Sequence, residues 1–319
     1  MKKLIKNLFL ISFLFILLIL LVDHSTSLII NKNANFKIKS NPKYLIFGHS
    51  HPSCAFNDSL IHGLKNISKS GESYFYTYFK IKNILNQNKK HKIIFLEFSN
   101  NFINKRSDHW IWQNKTISTS YLFYSPFMEL KDKYIIFKNN PLGFINNTSI
   151  SIFTKVKRIV SGNYDYIEGT GEYLKLKRNK TEQILKYYSL RKIKKNSKPL
   201  GTAKINIAYL KKIIDLCSQL KIRLILVRSP LHPKWKYFKN EANYKSLLKT
   251  KFKNVEYIDF SNFKLKNSEF GDLNHLNYKG ANVFSIWFNK LLERGLLEKK
   301  NISEFVKNEI KIQNSLSYK

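Results

Sequence analysis

A serine, a histidine and an aspartate in two short, distant stretches of this chain could together carry out acyl transfer. Gly48-His49-Ser50 directly follows the apolar run Tyr44-Leu45-Ile46-Phe47, and Asp272-Leu273-Asn274-His275 lies near the other end. A serine at the C-terminal end of a first strand stands where open α/β sheets bind ligands. An Asp-x-x-His turn brings a histidine and its orienting carboxylate into one loop. In that arrangement Ser50 attacks a carbonyl, His275 takes its proton and Asp272 fixes the imidazole. The resulting acyl-serine ends on water in an esterase or on a sugar hydroxyl in a transferase.

The elements that must position these residues can be read from the apolar runs. Five of them predict buried strands: Tyr44 to Phe47, a weaker one around Asn66 to Ser68, Lys92 to Phe98, Arg223 to Val227 and Val255 to Phe260. Helical patterns fall between them, at Ser73 to Gln87, Thr202 to Leu220 and Tyr278 to Leu292, the last with Val283, Phe284, Trp287, Phe288 and Leu291 at helical spacing. Alternating strands and helices predict a three-layer α/β/α sandwich around a parallel sheet of about five strands. The stretch from 101 to 200 breaks the rhythm with His109, Trp110, Trp112 and a Tyr/Phe cluster from Tyr121 to Phe127. It reads as an insertion at the strand C-terminal edge, either a cap whose tryptophans stack on a sugar or a subdomain filled by its own aromatics.

At 319 residues the chain can bury one sizeable core. Its 56 Lys+Arg against 21 Asp+Glu give +35, but the excess is mostly lysine spread among Asn and Ile. No zinc-finger spacing, Arg-rich arm or RNA-binding aromatic signature accompanies it, so nucleic acid is not an expected partner. Cys54 and Cys217 are too few for a disulfide framework and read as buried thiols, although Cys54 lies close enough to Ser50 to be a conceivable second nucleophile. No cofactor or metal is expected.

The N-terminus predicts a membrane segment. Leu8 to Val22 is uncharged, Lys2, Lys3 and Lys6 precede it, and from Leu4 onward the run could span about 28 Å. The lysines should stay in the cytoplasm and the rest pass outside. A small-x-small cleavage site is not evident after Val22, which favours an uncleaved anchor over a signal peptide. The expected organisation is an anchor over 1–25, a polar linker over 26–42, an α/β domain over 43–295 and a peripheral amphipathic tail over 296–319 that ends in disorder.

Three blocks carry a resemblance: Gly48-His49-Ser50, Ser70-Gly71-Glu72-Ser73, and Asp272 to Gly280 with its Asp-x-x-His-Leu-Asn-x-x-Gly-Ala pattern. They look like blocks of the SGNH/GDSL hydrolase superfamily, across 43–100 and 201–295. The last block and the anchor resemble exported SGNH-like proteins linked to O-acylation of surface polysaccharides. The resemblance implies a flavodoxin-like SGNH fold and a Ser50, Asp272, His275 triad. It also implies an oxyanion hole from Ser50, Gly71 and Asn100, with Asn101 the fallback because the Gly-x-Asn-Asp block is here Glu97-Phe98-Ser99-Asn100-Asn101. His51, Arg228 and His232 are possible substrate contacts. Implied partners are a surface polysaccharide or acylated glycan and a membrane acyl-donor protein. Two alternatives remain: an inactive SGNH-like glycan-binding protein, and a metal site, since Gly48-His49-Ser50-His51 matches the Gly-His-x-His element of calcineurin-like metallophosphoesterases, whose other blocks the sequence lacks.

Overall fold

The computed structural model describes residues 1–190, 201–235 and 240–316. Its main elements, in chain order, are α1 (Lys2–Asn33), β1 (Tyr44–Phe47), α2 (Ser50–Ala55), β2 (Leu64–Asn66), α3 (Tyr74–Gln87), β3 (Ile93–Glu97), α4 (Leu130–Asn139) and α5 (Pro141–Ser161). Then follow α6 (Thr181–Leu190), α7 (Lys204–Gln219), β4 (Arg223–Arg228), α8 (Glu241–Thr250), β5 (Glu256–Asp259), the hairpin β6 (Phe270–Asp272) and β7 (His275–Leu276), α9 (Tyr278–Glu293) and α10 (Ile302–Leu316). The chain divides into two compact units, Met1–Lys37 with Ile111–Gly169, and Ile38–Trp110 with Thr170–Lys319.

The larger unit holds the parallel sheet, in the order β2-β1-β3-β4-β5. All five expected strands are present. Only β2 is displaced, about two residues earlier than read, because Asn66 turns the chain: its side chain accepts the Ser68 N–H at 2.9 Å and donates to the carbonyls of Pro52 and Phe56. Alternation sets the two faces of the sheet. Ile46, Phe95, Ile225, Val227 and Ile258 point into one core cluster with Phe284, Trp287, Phe288 and Leu291 of α9, while Val283 is turned outward. On this side α10 docks through Ile302, Val306 and Ile310. The other face presents Leu45, Phe47, Ile94, Leu96 and Leu226, all buried, and α3 and α7 pack together. The sheet therefore has helices around it, as expected.

The chain goes from β1 to β2 on one side and to β3 on the other, so the sheet's topological switch lies between β1 and β3. Ser50 starts the helix that follows β1, and Glu97 is the last residue of β3. Two glycines make this edge possible. A Cβ on Gly48 would stand 2.6 Å from Pro52 and 2.7 Å from Glu97, and one on Gly280 would stand 2.2 Å from the Glu269 carbonyl oxygen. Only a residue without a side chain lets these backbones approach so closely.

In the smaller unit, α1 runs on past its apolar segment to Asn33, and Asn35 pairs through its backbone with Tyr164 and Tyr166. Asp23, Thr26, Ser27 and Ile30 are buried in this unit, and Phe36 packs on Phe127 and Tyr166. Tyr121, Tyr124 and Phe127, from the aromatic cluster singled out in the sequence, are buried within the same unit. α1 is 32 residues long, about 48 Å, and apolar enough to cross a membrane. The end of the expected insertion, 191–200, and the end of the tail, 317–319, lie outside the described residues.

Candidate active site

The nucleophile's position follows from the end of β1. His49 caps α2, accepting the His51 N–H on Nδ1 at 3.2 Å, and Ser50 is the helix's first residue. The far end of α2 is fixed by Asn66 and by Ser285 of α9, whose hydroxyl accepts from the Asn57 N–H and donates to the Ala55 carbonyl. The β6–β7 hairpin supplies the other two residues. Asp272 Oδ1 accepts the backbone N–H groups of Asn274 and His275, each at 3.0 Å, and faces His275 Nδ1 at 2.8 Å. His275 Nε2 then lies 2.7 Å from Ser50 Oγ. The structure thus brings Ser50, His275 and Asp272 together in one chain of hydrogen bonds.

The charges suit proton transfer. Burial would raise the Asp272 carboxyl, but hydrogen bonds from His275 and the Asn274 N–H, with Arg178 nearby, hold it down at about 2. Burial holds His275 below its usual range despite the opposing bond to Asp272. At neutral pH the ring is uncharged, its Nδ1 proton is given to the carboxylate, and Nε2 offers its lone pair to Ser50.

A second carboxylate–imidazole pair lies at the same sheet edge. Glu97 ends β3, is wholly buried, and faces His51 Nδ1 at 3.0 Å. His51 Nε2 faces the amide nitrogens of Asn274 at 3.2 Å and Asn101 at 3.4 Å, so that nitrogen accepts and Nδ1 carries the proton to Glu97. His49 Nε2 contacts Ser99 Oγ at 3.2 Å and Nδ1 lies 3.3 Å from Ser50 Oγ, a longer contact than that to His275. Burial pushes His49 well below its usual range, His51 to about 4, and Glu97 well upward. Among the described residues, His49, His51 and Glu97 are the set whose potential metal-ligand atoms all lie within 4.8 Å of one another. Of these atoms, His51 Nδ1 ties the start of α2 to Glu97 Oε1, His49 Nε2 lies 3.6 Å from Glu97 Oε2, and that oxygen is buried without a hydrogen-bond partner among the described residues.

Other residues expected at the site are placed differently. The Asn100 amide donates to Glu241 at 2.8 Å and its oxygen accepts from Arg228 at 3.1 Å, so the side chain is committed to a buried ion network and is not available as an oxyanion donor. Arg228 is not a substrate contact either: only 5% exposed, it holds Asp259 through two nitrogens, pairs with Glu241 and lies over the Tyr244 ring. His232 is buried with both ring nitrogens used, Nδ1 by the Lys234 N–H and Nε2 by Asn267. His51 is also enclosed, which removes it from the substrate contacts. Gly71 stands at φ 75° in the turn before α3, with open space where a Cβ would be. Burial lifts the Cys54 thiol to about 12, leaving it inert as a nucleophile.

Three residues at the site had no role in the sequence reading: Glu97 as a buried partner, Asn274, and Arg178. A carboxylate closing an otherwise apolar strand was the available signal for Glu97. Arg178 lay in a lysine-rich stretch without a pattern. It belongs to a strap that crosses the triad, pinned by Leu174 N–H to Ser53 O at 2.7 Å, Tyr278 N–H to Leu176 O at 2.9 Å and Lys180 N–H to Gly271 O at 2.9 Å. Arg178 Nη2 donates to Asp272 Oδ2, on the opposite oxygen from the one nearest His275.

A protein-family model matches residues 166–297, less than half of the chain. No curated protein matches it. Among solved structures, the chain is similar to a protein from Bacteroides fragilis described as an acylhydrolase, with 12% identity, a TM-score of 0.34, and coverage of 86% of this chain and 94% of that one. It is similar also to a GDSL-like lipase from Bacteroides thetaiotaomicron, with 10% identity, a TM-score of 0.34, and coverage of 86% and 98%.

Proposed function

We propose that this protein is a serine-dependent ester hydrolase or O-acyltransferase. The supporting observation is the run of contacts from Ser50 Oγ through His275 to Asp272, at 2.7 Å and 2.8 Å, with a neutral imidazole between a hydroxyl and a carboxylate. Ser50 Oγ attacks the ester carbonyl carbon while its proton passes to His275 Nε2, and Asp272 stabilises the imidazolium so formed. Collapse of the tetrahedral intermediate expels the alkoxide, which takes that proton. Water or a second alcohol then attacks the acyl-serine by the same steps in reverse. We assign the oxyanion to the Ser50 and Gly71 N–H groups and the Asn101 amide; one such donor typically lowers the barrier by about 3–4 kcal/mol.

The proposed substrate rests on sequence resemblance and on the charge of the strap. An acylated surface glycan fits the resemblance, with a membrane acyl-donor protein as partner in the transferase case, outside the cytoplasm if α1 crosses with its lysines inside. Lys175, Lys177, Arg178 and Lys180 along the strap favour a glycan carrying negative charge. Hydrolysis of p-nitrophenyl acetate tests the central reading. The full chain should turn over this ester, and Ser50→Ala should abolish turnover while the thermal transition stays in place. Unchanged turnover in Ser50→Ala would reject Ser50 as the nucleophile, and no turnover in the parent protein would favour a glycan-binding role for the same cleft.

A further inference from the structure

We propose that α4 and α5 form a lipid-facing platform, on which the smaller unit rests against the membrane beside α1. The observation is a helix turned inside out. The residues that α5 buries are Thr148, Ser151 and Lys155. Each has a polar partner within the unit: Thr148 Oγ1 lies 2.9 Å from the Tyr121 hydroxyl, Ser151 Oγ lies 2.6 Å from Ser125 Oγ, and Lys155 Nζ donates to Asp23 and Ser27. Its exposed residues include six large apolar ones, Leu142, Ile145, Ile150, Phe153, Val156 and Val160, with Phe153 72% and Val160 82% exposed. At 100° per residue these six fall within an arc of about 140°, which they share with the exposed Asn146, Ser149 and Lys157. A helix facing water has the opposite arrangement. Leu130, Tyr134 and Phe137 extend the exposed apolar surface along one stripe of α4, spaced i, i+4, i+7.

Continuity with α1 identifies the occupant. The apolar run of α1 ends at Val22, and the next residue, Asp23, is held by Lys133 of α4 at 2.6 Å and Lys155 of α5 at 2.5 Å. If α1 crosses a bilayer, this ion triad lies where the helix leaves the hydrocarbon, and both helices are fastened to it there. An apolar face at that depth meets acyl chains, and the exposed Lys138 and Lys157 at its margin meet lipid phosphates. The platform requires α1 to be a membrane helix and is independent of the chemistry at Ser50.

Fluorescence quenching in vesicles tests the platform. Cys54 and Cys217 are buried, so bimane can be directed to single introduced cysteines in the full chain: Phe153→Cys and Val160→Cys on the platform, Leu14→Cys in α1, and Ile312→Cys, an exposed apolar position of α10. The chain is reconstituted in phosphatidylcholine/phosphatidylglycerol vesicles with nitroxide on the acyl chains. Probes at 153, 160 and 14 should lose about half their emission or more, and the probe at 312 should not. Quenching at 14 without quenching at 153 and 160 would overturn the platform alone. Loss of quenching at all three would remove the membrane reading of α1 and the platform with it. Probes at 153 and 160 protected from both lipid nitroxide and aqueous iodide, in a manner reversed by diluting the labelled chain with unlabelled chain, would assign the face to a second copy and likewise overturn it.

Discussion

Two carboxylate–imidazole pairs stand at one edge of the sheet, Asp272 with His275 and Glu97 with His51, with contacts of 2.8 Å and 3.0 Å. Their surroundings separate them. Asp272 and His275 side chains are 15% and 14% exposed, and the carboxylate also accepts two backbone N–H groups and Arg178, so it remains charged down to about pH 2. Glu97 and His51 are sealed off, and burial drives both toward their neutral forms. The far ring nitrogen differs too: in His275 it meets a hydroxyl that can surrender a proton, in His51 two amides that cannot. In the proposed reaction the same pair of groups is a base in one place and a brace in the other, with burial and the partner beyond the ring deciding which.

The largest expected effects break the first pair. His275→Ala should reduce kcat/KM on a small ester by about 10⁴-fold or more, and combining it with Ser50→Ala should cost little further, because the residues act as a unit. Independent, additive losses would dissolve the triad. Asp272→Asn should remove about 10³–10⁴-fold, since the amide favours the wrong tautomer of His275. Far-ultraviolet circular dichroism should be unchanged in each.

Glu97→Gln probes the brace and should behave differently. Because burial already favours the neutral acid at Glu97, the isosteric amide keeps an acceptor for the His51 Nδ1 proton, and stability in urea unfolding should change by about 1 kcal/mol or less, while kcat in the folded protein stays within about tenfold. A loss of several thousandfold at unaltered stability would move Glu97 into the chemistry and abolish the distinction between the pairs.

How much of this was legible in the sequence follows the range of the forces involved. The strands were readable because four or five consecutive apolar residues report burial locally, and Asp272 with His275 because their geometry closes within one short hairpin. Ser50 needed only the end of β1. Asn100 was misread because its partners, Arg228 and Glu241, come from beyond the insertion, and no local pattern announces an ion network assembled across β3, β4 and α8. His232 was misread for the same reason, its ring being held by Asn267. The aromatic run from Tyr121 to Phe127 gave no sign of which side faced inward, since the inward partners Thr148 and Ser151 are polar and sit on another helix.

The smallest effect sharpens the first pair further. Arg178 is 44% exposed and its positive charge depresses His275, adding to the larger effect of burial. Since catalysis needs neutral His275, kcat/KM should be level at neutral and mildly alkaline pH and fall as pH drops through the imidazole's pKa, below 6.5, while Asp272 stays ionised throughout that range. Removing the cation in Arg178→Ala makes His275 easier to protonate, so the acid limb should move to higher pH. The rate on a small neutral ester at pH 8 should change by less than about tenfold, as expected for a half-exposed charge. Arg178→Lys keeps the charge and should leave the limb nearer its original place. A pH profile in Arg178→Ala superimposable on the parent would show that solvent screens Arg178 from the imidazole. Its bond to Asp272 would then serve to hold the strap in place, with no part in setting the basicity of His275.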